Sequence, residues 1–228
     1  TIASTLPMWD GMIDEVRIYD DAISTMQALV NYRQGPDIYV EADKFEVPVN
    51  LIHRWSFNGD YTDSVGGATA VPKENAAITS GALDLTSNDG IAKHIGDTNA
   101  AYAELPINSS FEKMYYGTTI ELWMKTDEVV KDSKLFTFGH AYLGDAWATG
   151  EEQMFMMTNH FGNPNDPEAS AINAGVLGAG TWNRAYTYAY PDPGTWRHIV
   201  LVLNKIGNNC VLYVDGVFML NHKNGVPA

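Results

Sequence analysis

The chain has 228 residues, of which 45% are hydrophobic and 11% aromatic, and its 28 acidic and 14 basic side chains leave a formal net charge of −14. This composition permits one large β domain or two small ones with a sizeable core, and it argues against global disorder. The acidic balance argues against binding to nucleic acid or to an anionic membrane, both of which need clustered cations. It suits a solvated secreted protein or one that binds cations. No apolar run approaches the roughly 18 residues of a membrane-spanning helix, so we expect no membrane insertion by this piece.

The first residue and the cysteine content bear on the context of the chain. The sequence starts at Thr1, without a signal peptide or an initiator methionine. We therefore expect a processed or trimmed piece of a larger protein with flanking domains. Cys210 is the only cysteine, and its strand-like surroundings predict a buried free thiol. A single cysteine allows no internal disulfide and leaves the cellular compartment open.

The N-terminal region predicts one strand. Residues 9–19, WDGMIDEVRIY, alternate apolar and polar positions after a glycine, which is the period of a strand. The alternation predicts two faces: Met12, Asp14, Val16 and Ile18 on one, and Ile13, Glu15, Arg17 and Tyr19 on the other.

The next segment predicts the one helix of the chain. Its apolar residues recur with helical spacing: Ile23, Met26, Val30 and, less strictly, Leu29. Asp20 or Asp21 can cap the N-terminus, and Gly35 followed by proline ends the helix. Residues 37–50 are extended and interrupted by Pro48, so they are interpreted as a linker or an edge strand.

From Leu51 onward, strand-like runs alternate with turn residues. The runs are LIHRWSF, ALDL, AYAELP, TTIELWMKT, KLFTFGH, EEQMFMMTN, RAYTYAY, TWRHIVLVLNK and NNCVLYVDGVFML. About ten strands with almost no helix predict an all-β antiparallel sandwich or jelly roll. The turn KIGNN predicts a hairpin between TWRHIVLVLNK and the run that follows it.

Four stretches together resemble one known family. They are HRWSFNGDYTDSVGG, YAELP with TTIELWMKTD, PGTWRHIVLVLNKIGNNCVLYVDG, and GMIDEVRIYDDAIS. The set is similar to the laminin G-like domains of the concanavalin A-like lectin/glucanase superfamily. The resemblance implies an antiparallel jelly-roll sandwich with one short helix near the N-terminus, and GMIDEVRIYDDAIS looks like its closing strand.

The order of these stretches is unusual, because the closing strand precedes all the others. We expect residues 1–36 to be the closing strand and helix of a laminin G-like domain, either permuted or the tail of an upstream repeat. Residues 37–50 would then be a linker and residues 51–228 the sandwich. An unpaired jelly-roll edge is an aggregation hazard, and the resemblance implies that the first and last strands of the sandwich are neighbours, so residues 12–19 are predicted to pair antiparallel with residues 51–58. Exchange of the strand between chains is the main alternative.

The residue pattern of a glucanase is missing. By resemblance, such enzymes carry two glutamates on one strand with an aspartate between them, because both carboxyl groups must flank one glycosidic bond. Neither Glu-x-Asp-x-Glu nor its form with one extra residue occurs. Glu121 in TIELW stands without a partner, and Asp14 and Glu15 are neighbours that would point to opposite faces. We predict no catalytic residue and no enzyme activity for this piece.

An acidic loop is the candidate metal site. NGDYTDSVGG offers Asn58, Asp60 and Asp63, and calcium takes several oxygen ligands from such loops. The resemblance implies a structural calcium between this loop and the closing strand, whose carboxylate would be Asp14. The alternative interpretation is that Asp60 and Asp63 only shape a turn.

Aromatic residues beside polar groups are candidates for sugar binding. RAYTYAY places Tyr186, Tyr188 and Tyr190 on one face of a strand, for which core packing is the alternative interpretation. Long loops, where binding commonly resides, and glycine-rich surroundings supply further candidates: Tyr142, Trp147, Asn163 and Trp182.

These patterns predict a non-catalytic glycan-binding or adhesion module of a larger extracellular or cell-surface protein, which we expect to be bacterial. Its partner would be a glycan or a surface protein. One alternative is a structural spacer or protein–protein interaction module without a sugar site. Another is an accessory domain of a polysaccharide-degrading enzyme whose catalytic domain lies elsewhere.

Overall fold

The computed structural model describes residues 9–38, 50–88, 100–107, 117–127, 133–139, 153–159, 171–178, 181–186, 193–204 and 209–219. In these ranges the chain forms fourteen strands, one α-helix and one short 3-10 turn. Every strand pairing within them is antiparallel. The predicted all-β antiparallel class, with one short helix near the N-terminus, is confirmed.

The elements are named here in chain order. They are β1 (Gly11–Tyr19), α1 (Thr25–Gln34), β2 (Leu51–Trp55), β3 (Val71–Lys73), β4 (Ala77–Thr79), β5 (Ala82–Asp84), β6 (Tyr102–Glu104), β7 (Gly117–Thr126), β8 (Lys134–Gly139), β9 (Gln153–Asn159), β10 (Ala171–Gly178), β11 (Thr181–Tyr186), β12 (Arg197–Asn204), β13 (Asn209–Val214) and β14 (Val217–Phe218).

Two larger sheets make up the sandwich. The main sheet has the order β14-β13-β12-β7-β1-β5-β4, and β2 also pairs with β1. The second sheet has the order β11-β10-β9-β8, and β3 pairs with β6 in a small third sheet. The two larger sheets meet where β11 contacts β13 and β10 contacts β12.

Strand β1 lies in the middle of the main sheet. Along one edge it pairs with β7, from Gly11 opposite Thr126 to Tyr19 opposite Thr119. Along its other edge, its first half pairs with β5 and its second half with β2, where Val16 lies opposite Trp55. The predicted pairing with residues 51–58 is confirmed for residues 16–19 and is made within one chain. The domain boundaries stay a prediction.

A β-bulge interrupts the predicted alternation of β1. The register with β7 shifts between Asp14 and Arg17, and Glu15 has a φ of 50°. A bulge inserts one extra residue into a strand, so the side chains beyond it change face. Ile13, Val16 and Ile18 therefore all join the main core cluster, and the prediction of strictly alternating faces is wrong for the first half of the strand.

The apolar core lies on the inner face of the main sheet. Its members on β7 are Ile120, Leu122 and Met124, which pack with Ile199 and Leu201 of β12. Phe136 and Phe138 of β8 pack against the same cluster. The inner face is therefore covered by the second sheet, as in other sandwiches.

Helix α1 lies on the opposite, outer face, where Ala28 packs with Tyr19 and Val200. The N-cap is Ser24, whose side chain accepts a hydrogen bond from the backbone of Gln27 at 3.1 Å, so the predicted cap at Asp20 or Asp21 is wrong. The predicted end of the helix is confirmed, because Gly35 is the C-cap and has a φ of 78°.

The apolar stripe predicted for this helix is also wrong. The buried helix residues are Gln27, Ala28 and Asn31, whereas Met26 is 62% exposed. The reason is the polar chemistry of the sheet face beneath the helix, which is described below.

Four strands differ from the sequence prediction. β3, β4 and β10 were not expected, because β3 and β4 have only three residues each and the glycine and alanine residues of β10 have low strand propensity. β11 begins at Thr181, three residues before the predicted run RAYTYAY. No helix in the described part of the chain combines the length and apolarity needed to cross a bilayer.

Candidate functional site

The outer face of the main sheet carries a buried polar cluster, called here the outer-face network. Because side chains alternate along a strand, Glu121 points away from the core that its neighbours Ile120 and Leu122 enter. Helix α1 covers this face. The members of the network are Glu15, Arg17, Tyr19, Asn31, Glu121 and His198, all at most 1% exposed.

Glu121 is the centre of this network. Its Oε1 accepts hydrogen bonds from Arg17 Nη1 at 3.2 Å and interacts with His198 Nε2 at 2.7 Å. Its Oε2 accepts from Tyr19 Oη at 2.6 Å and from Asn31 Nδ2 at 2.7 Å. The carboxylate thus has four partners from two strands and the helix.

These partners decide the protonation state of Glu121. Burial alone would raise its pKa, but the hydrogen bond to His198 and the charge of Arg17 outweigh burial and hold the pKa below its ordinary value. The Glu121 carboxylate is therefore ionised, fully buried and held by four side chains that join β1, β12 and α1.

The second carboxylate of the network lies on the neighbouring strand. Glu15 accepts from Arg17 Nε at 2.7 Å and from Arg54 Nη2 at 3.2 Å. Arg17 therefore links Glu15 to Glu121, whose Oε1 it also contacts. The two arginines extend the network to the segment after the helix, because Arg17 donates to the carbonyl of Ile38 at 3.0 Å and Arg54 to that of Asp37 at 2.8 Å.

Sequence reasoning missed this network. Glu121 has no second carboxylate on its own strand, but the structure supplies Glu15 from β1, and Arg17 holds both. Arg17 and Glu121 are 104 positions apart, so no local spacing relates them. The available signal was an ionisable residue in the middle of an apolar run, as in TIELW and RHIVL, since such residues are rarely buried unpaired.

Two of the predicted calcium ligands organise a turn in the structure. Asp63 is buried, and its carboxylate accepts four backbone N–H bonds, from Arg54, Val65, Gly66 and Ala68. It also meets His53 Nδ1 at 2.6 Å. Burial would raise the pKa of Asp63, but these bonds hold it below the ordinary value. Asp60 accepts from the backbone of Thr62 at 2.8 Å, which is an Asx turn.

The other two predicted ligands lie near a third residue, Asp37. Asp14 is 9% exposed, and its Oδ1 has no hydrogen-bond partner. Burial, followed by the charge of Asp37, raises the pKa of Asp14 to about 7. Asp37 in turn accepts a hydrogen bond from Asn58 Nδ2. The described residues contain no group of three or more His, Cys, Asp or Glu side chains placed to hold a metal.

The predicted sugar-binding residues fall mostly outside the described ranges, namely Tyr142, Trp147, Asn163, Tyr188 and Tyr190. Trp182 and Tyr186 lie on β11, opposite Leu177 and Asn173 of β10.

Trp196 belongs to the predicted strand-like run TWRHIVLVLNK but lies outside the strand that forms there. It precedes β12 and is 36% exposed. Lys125 Nζ lies 5.5 Å from the centre of its ring, which is cation–π distance.

The antiparallel sandwich of two sheets with one covering helix defines a lectin-like fold. A family model described as the Concanavalin A-like lectin/glucanases superfamily, of laminin G-like type, matches residues 97–227. This is more than half of the chain, and the chain belongs to this family. No curated protein and no solved structure gives a significant match. The family defines a carbohydrate-binding or adhesion type of module in general; it includes glucanases as well as lectins, and laminin G-like domains are typically extracellular.

Proposed function

We propose that the chain is a non-catalytic glycan-binding or adhesion module of a larger extracellular or cell-surface protein. The observation that carries the proposal is that Glu15 and Glu121 are both buried and paired with Arg17. A glycosidase needs two carboxyl groups that flank one substrate bond. Here both glutamates are fully buried and are held by Arg17, so they support the fold and cannot reach a sugar.

The proposed ligand is a glycan that stacks on aromatic side chains. Two of the aromatic candidates, Trp182 and Tyr186, lie on β11. The other aromatic and amide candidates lie outside the described residues, namely Tyr142, Trp147, Asn163, Tyr188 and Tyr190. Flat aromatic side chains offer large contact area at low entropic cost, and their polar ends find hydrogen bonds.

A glycan array tests this proposal. The wild-type chain should bind a restricted set of glycans, and Trp147→Ala and Tyr188→Ala should each reduce that binding at least tenfold. Trp196→Ala is the matched control, since it removes an exposed aromatic residue outside the candidate set. Binding that survives both substitutions, or that Trp196→Ala removes equally, would place the site elsewhere.

We further propose a structural calcium where the loop from Asn58 meets β1 at Asp14. Support comes from the buried Oδ1 of Asp14 without a partner and from its raised pKa beside Asp37. A divalent ion would neutralise both carboxylates, and backbone carbonyls or waters would complete the roughly six to eight oxygen ligands that calcium takes. Asp60 and Asp63 would shape the loop, because their carboxylates already accept backbone hydrogen bonds.

Thermal unfolding tests the calcium. An ion that binds only the folded state stabilises it by about 2.7 kcal/mol at a hundredfold excess over Kd. The melting temperature should therefore rise from EDTA to millimolar calcium in the wild-type chain and not in Asp14→Asn. Equal melting temperatures of the wild-type chain in EDTA and in calcium would show that the acidic loop is only a turn.

A second candidate function is a protein–protein interaction module without a sugar site. It is favoured by exposed apolar side chains at one edge of the main sheet. Val217 and Phe218 of β14 are 59% and 48% exposed, and Leu29 of α1 lies beside Gly216. A chain that binds no glycan on the array but loses association with a cell surface on Phe218→Ser would favour this function.

A further inference from the structure

We propose that residues 9–38, called here the N-terminal module, can complete the sandwich of a second copy of this chain, so that two copies exchange modules. The module consists of β1, α1 and the two residues that Arg17 and Arg54 bind. The rest of the described chain, called here the body, forms the slot that receives it. The family match at residues 97–227 does not include the N-terminal module.

If β1 were absent, the slot would expose unpaired strand edges on both of its sides. Without β1, the edge of β7 that faces away from β12 has no partner, and β2 and β5 lose the strand to which both pair. Unpaired edges of this kind recruit another strand. The inner core would also lose Ile13, Val16 and Ile18, each at most 8% exposed in the complete sheet.

The polar side chains of the slot restrict which segment can fill it. Three of the four side chains that bind Glu121 belong to the module: Arg17, Tyr19 and Asn31. Without the module, Glu121 would keep only His198, and a buried charge without its partners is costly. A segment that fills the slot must therefore bring a cation and two further donors at these positions, which favours a copy of the module over an unrelated strand.

The far end of the slot adds directional contacts. Thr118 Oγ1 donates to the carbonyl of Tyr19 at 2.8 Å. Thr119 Oγ1 donates to the carbonyl of Asp21 at 2.8 Å and accepts from the backbone of Ile23 at 3.1 Å. These bonds lie where the chain leaves β1 for the helix, so they set the register of the module in the slot.

None of these contacts depends on which copy supplies the module. The module is covalently joined to the body through residues 39–49, called here the connector. The connector follows Ile38 and ends before Asn50, which is hydrogen-bonded to Asp20. Eleven residues reach at most about 40 Å when extended, so they can bridge two copies in contact. Closed and exchanged forms then differ mainly in connector entropy and in the concentration of the second copy.

Engineered disulfides test the exchange in the full-length chain. Met12 lies opposite Lys125 on β7 and opposite Asp84 on β5. In a Cys210→Ala background, one chain carries Met12→Cys and a second, tagged chain carries Lys125→Cys. The two are unfolded together, refolded at high concentration and oxidised, and covalent heterodimer is quantified on a non-reducing gel. The mixture with Asp84→Cys gives an independent second readout.

The control mixture pairs Met12→Cys with Met26→Cys, whose side chain lies on the exposed face of α1. A single chain with both Met12→Cys and Lys125→Cys checks that the disulfide geometry is attainable. We expect at least tenfold more heterodimer from the slot mixtures than from the control, and less as the refolding concentration falls. The proposal is overturned if both slot mixtures give no more heterodimer than the control mixture while the doubly substituted chain closes its own disulfide.

Discussion

The two faces of β7 differ in the contacts that their side chains make: the inner face packs by apolar contact and the outer face by hydrogen bonds. Residues of the two faces alternate along the ten positions of the strand. The inner side chains Ile120, Leu122 and Met124 enter an apolar core in which any partner of suitable volume would serve. The outer side chain Glu121 has four named partners, each at hydrogen-bond distance. The inner face supplies stability that tolerates change, whereas the outer face accepts only a few side chains at each position.

This difference explains why the covering helix is polar where it touches the sheet. Gln27 donates to Asn31 at 2.6 Å, and Asn31 donates to Glu121 at 2.7 Å. A helix that docked on an apolar sheet would bury Met26 and similar side chains. Here the helix completes a hydrogen-bond network. The directions of its hydrogen bonds therefore determine its position on the sheet more than the apolar area that it buries.

Replacement of Glu121 by leucine should have the largest effect. The change leaves Arg17 buried without its second carboxylate and removes an acceptor from Tyr19, Asn31 and His198. Removing one partner of a buried ion pair costs about 3–5 kcal/mol. Urea unfolding followed by circular dichroism measures it, and a loss below 1 kcal/mol would show that the outer face tolerates apolar packing as the inner face does.

Asn31→Ala should come next. It deletes a donor to a charged acceptor and removes the oxygen that accepts from Gln27 Nε2, and hydrogen bonds to charged groups contribute about 1.5–3 kcal/mol. Met26→Ala on the same helix is the control, because it alters a side chain that is 62% exposed and should cost less than about 0.5 kcal/mol. Equal losses for the two variants would contradict the polar docking of the helix.

Asp14→Asn should have a smaller effect of opposite sign in the metal-free chain. The folded pKa of about 7 lies above the ordinary value of 3.8, so the folded state binds the proton more tightly than the unfolded state does. Ionised Asp14 therefore destabilises the fold above pH 7, and this cost disappears as the pH falls towards 4.

The asparagine variant should therefore be more stable than the wild-type chain at pH 8, by about 1–2 kcal/mol after solvent relaxation around the carboxyl group. The difference should vanish near pH 4. Melting curves in EDTA at the two pH values measure this. A variant that is less stable than the wild-type chain at pH 8 would mean that ionised Asp14 has a stabilising partner.

Ile120→Val, on the inner face, should be the mildest change. It removes one methylene group from the core, which costs about 0.5–1.5 kcal/mol. Measured beside Glu121→Leu by urea unfolding, it compares adjacent residues on opposite faces of one strand. A loss above 3 kcal/mol would indicate that the inner core is as position-specific as the outer network.

The fold was predictable from the sequence because apolar alternation and turn residues are local signals. The strands at GMIDEVRIY and TTIELWMKT were both recognised, and so was the pairing of β1 with β2. Local signals did not reveal the bulge at Glu15, since one extra residue changes the face of a strand without changing its composition.

The chemistry of the outer face was much less predictable. Arg17 and Glu121 meet across 104 positions, and Asp37 influences Asp14 from beyond the helix. Each of these relations depends on how strands and helix are arranged in space, which spacing along the chain does not encode. The burial of Gln27 and Asn31 was missed for the same reason. Asn31 donates to Glu121, which lies on β7, and Gln27 donates to Asn31.

The central position of β1 has a consequence for synthesis. Arg17 leaves the ribosome 104 residues before its partner Glu121, and making these residues takes about 5–20 s at ordinary translation rates. During that interval β1 can pair with β2 and β5 but not with β7. Its charged side chains therefore stay in water, and its apolar side chains stay exposed. Contacts of such long sequence separation slow folding, and the nascent sandwich can close around β1 only after β7 has been made.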